Sequence, residues 1–310
     1  TVRELFTAPT IVELAQPVAR AGQTRGLPPI EPLPETAPKP LSYAQQRLWF
    51  LDQLEPGSTA YNMPGAFHLR GRIDVDALGG ALATIVDRHA VLRTRFSHDQ
   101  DEPLQIIDPA GQWRLAMTDL SHEEPALRQA RARQAADALY SHVFDLQAGQ
   151  LFYARLLVLD EQEFVLLINM HHSVSDGWSN GILLRELALL YDAYSHGRSS
   201  PLPDLPIQYS DFAHWQRQWL SGDELERQIG YWRQALAGVQ VLNLPPNYPR
   251  RTDTGFAGNV LSFSLSRGLT AKLNQLCREQ GVSLYMLTLS AYIVLLSKYS
   301  GQQDISVGSP

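Results

Sequence analysis

The sequence predicts an α/β fold in two lobes, the second incomplete. Three observations carry that expectation. Segments with apolar residues at helical spacing alternate with short runs of strand type along most of the chain. The run EFVLLINM at 163–170 is almost unbroken in apolar residues and bounded by charge, the pattern of a central strand buried on both faces. After a proline-rich break, LPPNYPRR at 244–251, the same rhythm restarts near residue 256.

Composition is compatible with such a core. The chain has 310 residues, of which 44% are hydrophobic. Its 26 basic and 32 acidic side chains give a net charge of −6, which argues against a nucleic-acid binder. Cys277 is the single cysteine, so no internal disulfide can form and a cytoplasmic, reducing setting fits. It sits in a helical pattern and is expected in the core. No apolar run reaches membrane-spanning length, and no membrane partner is expected.

The elements follow in order. Residues 1–20 read as a helical remnant in which Pro9 stands in a first turn. Residues 21–40, AGQTRGLPPIEPLPETAPKP, hold six prolines and read as a stiff, extended linker. LSYAQQRLWFLDQL then forms a helix capped by Ser42, and Pro56-Gly57 ends it. YNMPGAFHLRG is a strand. Asp74 caps a helix with Leu78, Ala81, Leu82, Ile85 and Val86 on one side. VLRTRF at 91–96 alternates as a strand does, with Leu92 and Phe96 on one face and Arg93 on the other. A helix over 128–143 and a strand over 151–160 precede the central strand. A long helix over about 180–196 follows, stopped by Gly197. Helices are expected at 209–220 and 223–237, a strand at 259–266, a helix at 267–281, a buried helix at 284–300 capped by Ser283, and a last strand at DISVGSP. The first lobe is thus expected over 41–240 and the opening of the second over 241–310. The chain begins and stops in mid-pattern.

The chemically informative stretch is HHSVSDGWS at 171–179, at the C-terminal end of the central strand. A metal site is disfavoured, because adjacent strand residues point to opposite faces and no thiolate lies near. A purely polar turn is a second reading, with Asp176 or Ser179 capping the helix and the histidines satisfying backbone groups. The catalytic reading starts from position: ligands of α/β sheets sit outside the carboxyl ends of central strands. One histidine can then face a channel while the other packs inward, and imidazole titrates in the range useful for proton transfer. Asp176 could orient the ring or anchor the loop through an arginine. Gly177 would allow a sharp turn and bring a bare N–H toward substrate, where it could stabilise an oxyanion.

The stretch resembles the His-His-x-x-x-Asp-Gly signature of condensation domains from nonribosomal peptide synthetases. LSYAQQRLWFLDQL with YNMP, RHAVLRTRF at 88–96, YSDFAHWQ at 209–216 and DISVGSP at 304–310 are similar to further motifs of that family, in the same order. VRELFTAPTIVELA resembles the last helices of a peptidyl carrier protein, without its pantetheine-bearing serine.

The resemblance implies a fold like chloramphenicol acetyltransferase, two lobes in a V with a tunnel between them. It implies amide formation between an upstream donor and a downstream acceptor carrier, each bearing a 4'-phosphopantetheine arm, beside an adenylation domain. No cofactor bound by this chain and no metal is implied. His172 would be the active histidine, as base or as a group holding the amine. His171, Asp176 and Gly177 would be structural, and Asp176 would pair with Arg88 or Arg93. Both arginines match; strand alternation lends support to Arg93. Trp178 and Ser179 are candidates for the substrate channel, although Trp178 and Trp215 read more simply as packing anchors. His89 belongs to a motif but has no required chemistry. A carrier-like segment running straight into the linker favours an L-configured donor. The alternatives are a non-catalytic carrier-docking module, which can dispense with the histidine, and an acyltransferase using a free acyl thioester.

Overall fold

The computed structural model describes residues 27–97, 102–246, 261 and 263–308. The carrier-like remnant at 1–20 lies outside them. The chain divides into two compact units, with the break between Ser221 and Gly222.

The first unit is built on a four-stranded sheet in the order β1-β6-β5-β4. Its strands are β1 (Asn62–Arg70), β4 (Ala116–Asp119), β5 (Phe152–Asp160) and β6 (Glu163–His171). β6 lies between β1 and β5 and pairs antiparallel with both, Asn62 opposite His171 and Phe152 opposite Met170. β4 runs parallel to β5. Two short strands, β2 (Thr94–Phe96) and β3 (Gln105–Ile107), form a separate ladder.

The expected burial of the 163–170 run on both faces is observed. Leu166, Ile168 and Met170 face a large core with Leu156, Ala154 and Phe152 of β5. That core is closed by helices α2 (Val75–Arg88) and α4 (Gly177–Ser195), through Leu78, Ala81, Leu82, Ile85, Leu187 and Leu190. Leu167 faces the other way, onto Leu157, Leu159 and Leu120 and onto Ala132 of α3 (Pro125–Ala138).

The caps read from sequence form. Ser42 and Gln45 make a capping box on α1 (Tyr43–Leu54), and Asp74 accepts from the Ala77 N–H at the start of α2. Gln208 and Asp211 cap α5 (Tyr209–Trp219) reciprocally. Gly197 takes a left-handed φ of 66° where α4 ends.

The described part of the linker is pinned rather than free. Pro28 O accepts from Trp215 Nε1 at 2.7 Å, the Leu33 N–H bonds Asp211 at 3.0 Å, and Lys39 O accepts from the Gln105 N–H at 2.8 Å. Trp215 itself is only half-buried and stacks on Trp219.

One strand expectation fails locally. Residues Ala90–Arg93 form a 3-10 turn, and only Thr94–Phe96 are extended. The side-chain alternation argued across 91–96 therefore does not hold at Arg93.

The second unit contains α6 (Gly222–Ala235), α7 (Arg267–Gln280) and α8 (Leu284–Ser300). Ser266 and Ser283 cap α7 and α8, and Gly281 and Gly301 end them with positive φ. Cys277 is buried, as expected. The helix at 284–300 forms but is not buried: Leu296 is its one buried residue, while Met286, Tyr292 and Val294 are exposed. A helix satisfies its backbone internally, so it can form without a packed face. Strands need a partner ladder, and residues 261, 263–266 and 304–308 are irregular. The rest of the strand expected at 259–266, and the last two residues of DISVGSP, lie outside the described residues.

Candidate active site

β6 delivers the histidine pair, and the pleat separates its two members. His171 ends the strand on the inward face and is 5% exposed. Its ring lies edge-on to Phe144 and Tyr61. Ser173 approaches its Nδ1 twice, with the backbone N–H donating at 3.2 Å and Oγ at 2.8 Å. An Nδ1 that accepts from an amide is unprotonated, so His171 is held neutral with its proton on Nε2. Burial, and then the nearby charge of His172, push its pKa down to about 4.

His172 turns the other way and is exposed. Its backbone N–H bonds Tyr61 O at 2.9 Å, which fixes the chain at the strand end. Its Nδ1 lies 2.7 Å from the carbonyl oxygen of Ser175. A carbonyl can only accept, so Nδ1 carries a proton, and in the neutral ring the lone pair then lies on Nε2. The ring lines an open cleft of about 470 Å³ in the first unit, with Arg47, Tyr209, Gln208 and Phe212 on its other walls. Sequence reasoning missed Arg47 and Gln208 as site residues. Arg47 lies inside the opening motif, so a signal was present, but its exposure beside the histidine comes from folding.

Asp176 takes the capping role of the polar-turn reading, and neither of the two roles that the catalytic reading gave it. Its Oδ1 accepts from the Ser179 N–H at 2.8 Å and from Ser179 Oγ at 2.6 Å, capping α4. Those bonds, and further the charge of His172, hold its carboxyl below the usual range. The expected ion pair with an arginine does not form among the described residues. Arg88 turns to Glu186, at 3.4 Å, and to Pro203 O, at 2.5 Å. Arg93 donates to the carbonyls of Val86, Asp87 and Asp108, because the 3-10 turn directs it back along α2. The Ser175 carbonyl, not the carboxylate, orients the His172 ring.

Gly177 is the first residue of α4 and has no left-handed φ. A Cβ built there meets nothing within 4 Å, so the sharp turn expected of it is absent and space lies in front of it. Trp178 is 82% exposed, so the packing-anchor reading fails for it. Ser179 lines the cleft. His89 has a partner: its Nε2 lies 2.7 Å from Glu186.

A buried polar network supports the loop from below. Gln45 Nε2 donates to Ser173 O at 3.2 Å and to Gln105 Oε1 at 3.3 Å. Gln105 in turn donates to Pro40 O at 2.7 Å, and Ser42 Oγ lies 2.9 Å from the Tyr209 hydroxyl. The opening motif, the linker end and the histidine loop are thus joined through residues far apart in sequence.

Comparison with known proteins bears directly on this arrangement. Residues 37–310 match the family model of the condensation domain. The chain is 44% identical over 313 positions to a component of linear gramicidin synthase from Brevibacillus parabrevis, covering 100% of this chain and 4% of that protein. It is 43% identical over 282 positions to chondramide synthase cmdD of Chondromyces crocatus, covering 91% of this chain and 7% of that protein. The chain therefore spans a small fraction of the curated relatives it matches. Among solved structures, the X-domain in the complex of the X-domain and OxyB from teicoplanin biosynthesis superposes with a TM-score of 0.73 at 30% identity, covering 89% of this chain and 60% of that one. The first condensation domain of the CDA synthetase shares the fold, with a TM-score of 0.70 at 21% identity over 87% of this chain and 64% of that one.

Proposed function

The chain belongs to the condensation-domain family, and from that premise we propose that it forms an amide bond between two carrier-tethered substrates in nonribosomal peptide synthesis. The acceptor's amine attacks the donor's thioester carbonyl, the new C–N bond forms, and the donor carrier's thiol leaves. An aliphatic ammonium must lose its proton to attack. His172 Nε2 is the group for that proton, as base or as hydrogen-bond acceptor of the amine.

The observation that carries this reading is the 2.7 Å bond from His172 Nδ1–H to Ser175 O, which leaves a proton-accepting nitrogen in an open cleft. In this reading His171 and Asp176 support the site without touching the reacting atoms. Gly177 leaves room in front of the α4 N-terminus, Arg88 braces α2 against α4, and Trp178 and Ser179 border the channel. Bringing two tethered arms together supplies much of the acceleration through proximity. The substrates arrive on 4'-phosphopantetheine arms of donor and acceptor carrier domains, with an adenylation domain as neighbour and the cytoplasm as the compartment. We further assign residues 1–20 to a carrier remnant, 21–40 to the linker, 41–240 to the first lobe and 241–310 to the opening of the second, and an L configuration to the donor.

Mass spectrometry of loaded donor and acceptor carriers, mixed with the full-length protein, tests the reading. A gain of one acyl unit on the acceptor is the expected result. One solved relative is an X-domain in complex with OxyB, which favours a second reading, a docking module for a partner enzyme. Carriers that bind without any amide appearing would support that instead.

A further inference from the structure

His89 closes α2 and opens the 3-10 turn, and its backbone is held on both sides. Its N–H donates to Ile85 O at 3.0 Å, and its carbonyl accepts from the Leu92 N–H at 2.9 Å. Gln208 clamps the flanking residues: its Nε2 donates to Arg88 O at 3.0 Å, and its Oε1 accepts from the Ala90 N–H at 3.0 Å. The ring is fixed as well. Its Nε2 lies 2.7 Å from Oε2 of Glu186, whose side chain is 8% exposed. A carboxylate accepts, so Nε2 carries a proton, and in the neutral ring the lone pair then lies on Nδ1. Nδ1 has no hydrogen-bond partner among the described residues, and it is not one of the polar atoms that packing seals from solvent. The His89 side chain is 24% exposed and borders the cleft that His172 lines.

Resting on the reading that the cleft receives tethered substrates, we propose that His89 is a second binding group of the cleft, whose Nδ1 accepts a hydrogen bond from a secondary amide N–H of a substrate chain. Charge favours a neutral donor. Arg88 lies 3.4 Å from the same Glu186 carboxylate, so the two charges balance and leave no surplus to draw an ammonium group. The surroundings favour a chain. Val91 borders the cleft beside His89, and Ile85 and Leu92 border the recess that both residues share with it. Such apolar flanks suit the carbon atoms on either side of an amide. Amides of that kind occur in the pantetheine arm and in the backbone of a peptidyl donor. The bond holds the chain while His172 deals with the amine, so its loss weakens binding more than the chemical step.

Transfer assays with the full-length protein test this, using arms and peptidyl donors in which one amide at a time is replaced by an ester. The ester keeps the carbonyl and lacks the N–H. In the wild type one replacement is expected to raise KM by about 3- to 10-fold with kcat nearly unchanged, the size of one net hydrogen bond. Whether that replacement lies in the arm or in the donor peptide identifies the chain that is held. His89→Gln keeps a donor for Glu186 but places no acceptor where Nδ1 stands, so amide and ester should have the same KM. His89→Asn does the reverse and should keep the preference for the amide. A purely structural His89 predicts one amide-to-ester ratio in all three proteins, and that result overturns the proposal. A readout independent of transfer is the ¹⁵N resonance of His89 Nδ1, which peptidyl-pantetheine should shift and its all-ester analogue should not. A resonance that peptidyl-pantetheine leaves unmoved also overturns the proposal. If no amide bond forms with any substrate, the functional reading fails, and the Nδ1 resonance alone decides whether His89 binds the chain.

Discussion

The two sides of the β6 terminus carry the same residue type and do opposite things. On the packed side, His171 is enclosed by Phe144 and Tyr61, accepts hydrogen bonds from Ser173, and is held neutral. On the open side, His172 has one fixed bond and a free nitrogen over a cleft. One peptide bond separates a group that secures the loop from a group that can do chemistry. The difference arises from the pleat of the strand, which sends neighbours to opposite faces.

The largest expected effect lies on the open side. His172→Ala should lower peptide transfer by about 10²- to 10⁴-fold, the range for loss of a positioned proton acceptor. Its thermal midpoint should stay close to that of the wild type, since an exposed ring supports little packing. Carrier-to-carrier transfer and a melting curve together check this. A variant with unchanged transfer would erase the distinction between the two histidines.

The next effect is a pH dependence on the packed side. His171 has a folded-state value of about 4 against 6.5 for the free group, so the unfolded chain takes up a proton first as pH falls. Its contribution is therefore complete above about pH 6.5, is lost progressively down to about pH 4, and then levels off, with a total of about 3 kcal/mol. Denaturant unfolding across that window, compared between wild type and His171→Gln, checks the sign and the span.

His171→Ala at neutral pH should cost about 2–3 kcal/mol, because it empties a packed position and leaves Ser173 without its acceptor. Transfer should fall through displacement of the loop, and a chemical denaturation midpoint read beside the rate separates the two effects. The smallest effect belongs to Asp176. As a helix cap, Asp176→Ala should cost about 1 kcal/mol, and Asp176→Asn, which can still accept from the Ser179 N–H, should recover most of it. An ion pair with an arginine would instead leave asparagine as damaging as alanine.

The sequence made this comparison partly legible. The almost unbroken apolar run 163–170 identified the central strand, and alternation put His171 and His172 on opposite faces, while the family resemblance pointed to His172 as the outward one. Caps at Ser42, Asp74 and Ser283 are local, and local chemistry reads directly from adjacent residues. That Asp176 has no arginine partner among the described residues was not legible in the same way. Pairing it with Arg88 or Arg93 required knowing where those side chains point, and the 3-10 turn at Ala90–Arg93 redirected Arg93 while Glu186 attracted Arg88. The Gln45–Ser173 bond spans 128 positions, so no window of sequence reveals it. In the second unit, helix formation was readable but burial was not. Helical periodicity says which face would pack and does not supply the surface it packs on.

The central claim is that the neutral His172 ring keeps its proton on Nδ1, committed to Ser175, and so turns its lone pair at Nε2 to the cleft. A long-range ¹H–¹⁵N spectrum of ring-labelled histidine at neutral pH tests it most directly. The account requires the neutral form of the His172 ring to carry its proton on Nδ1. A spectrum with the proton on Nε2 would contradict it.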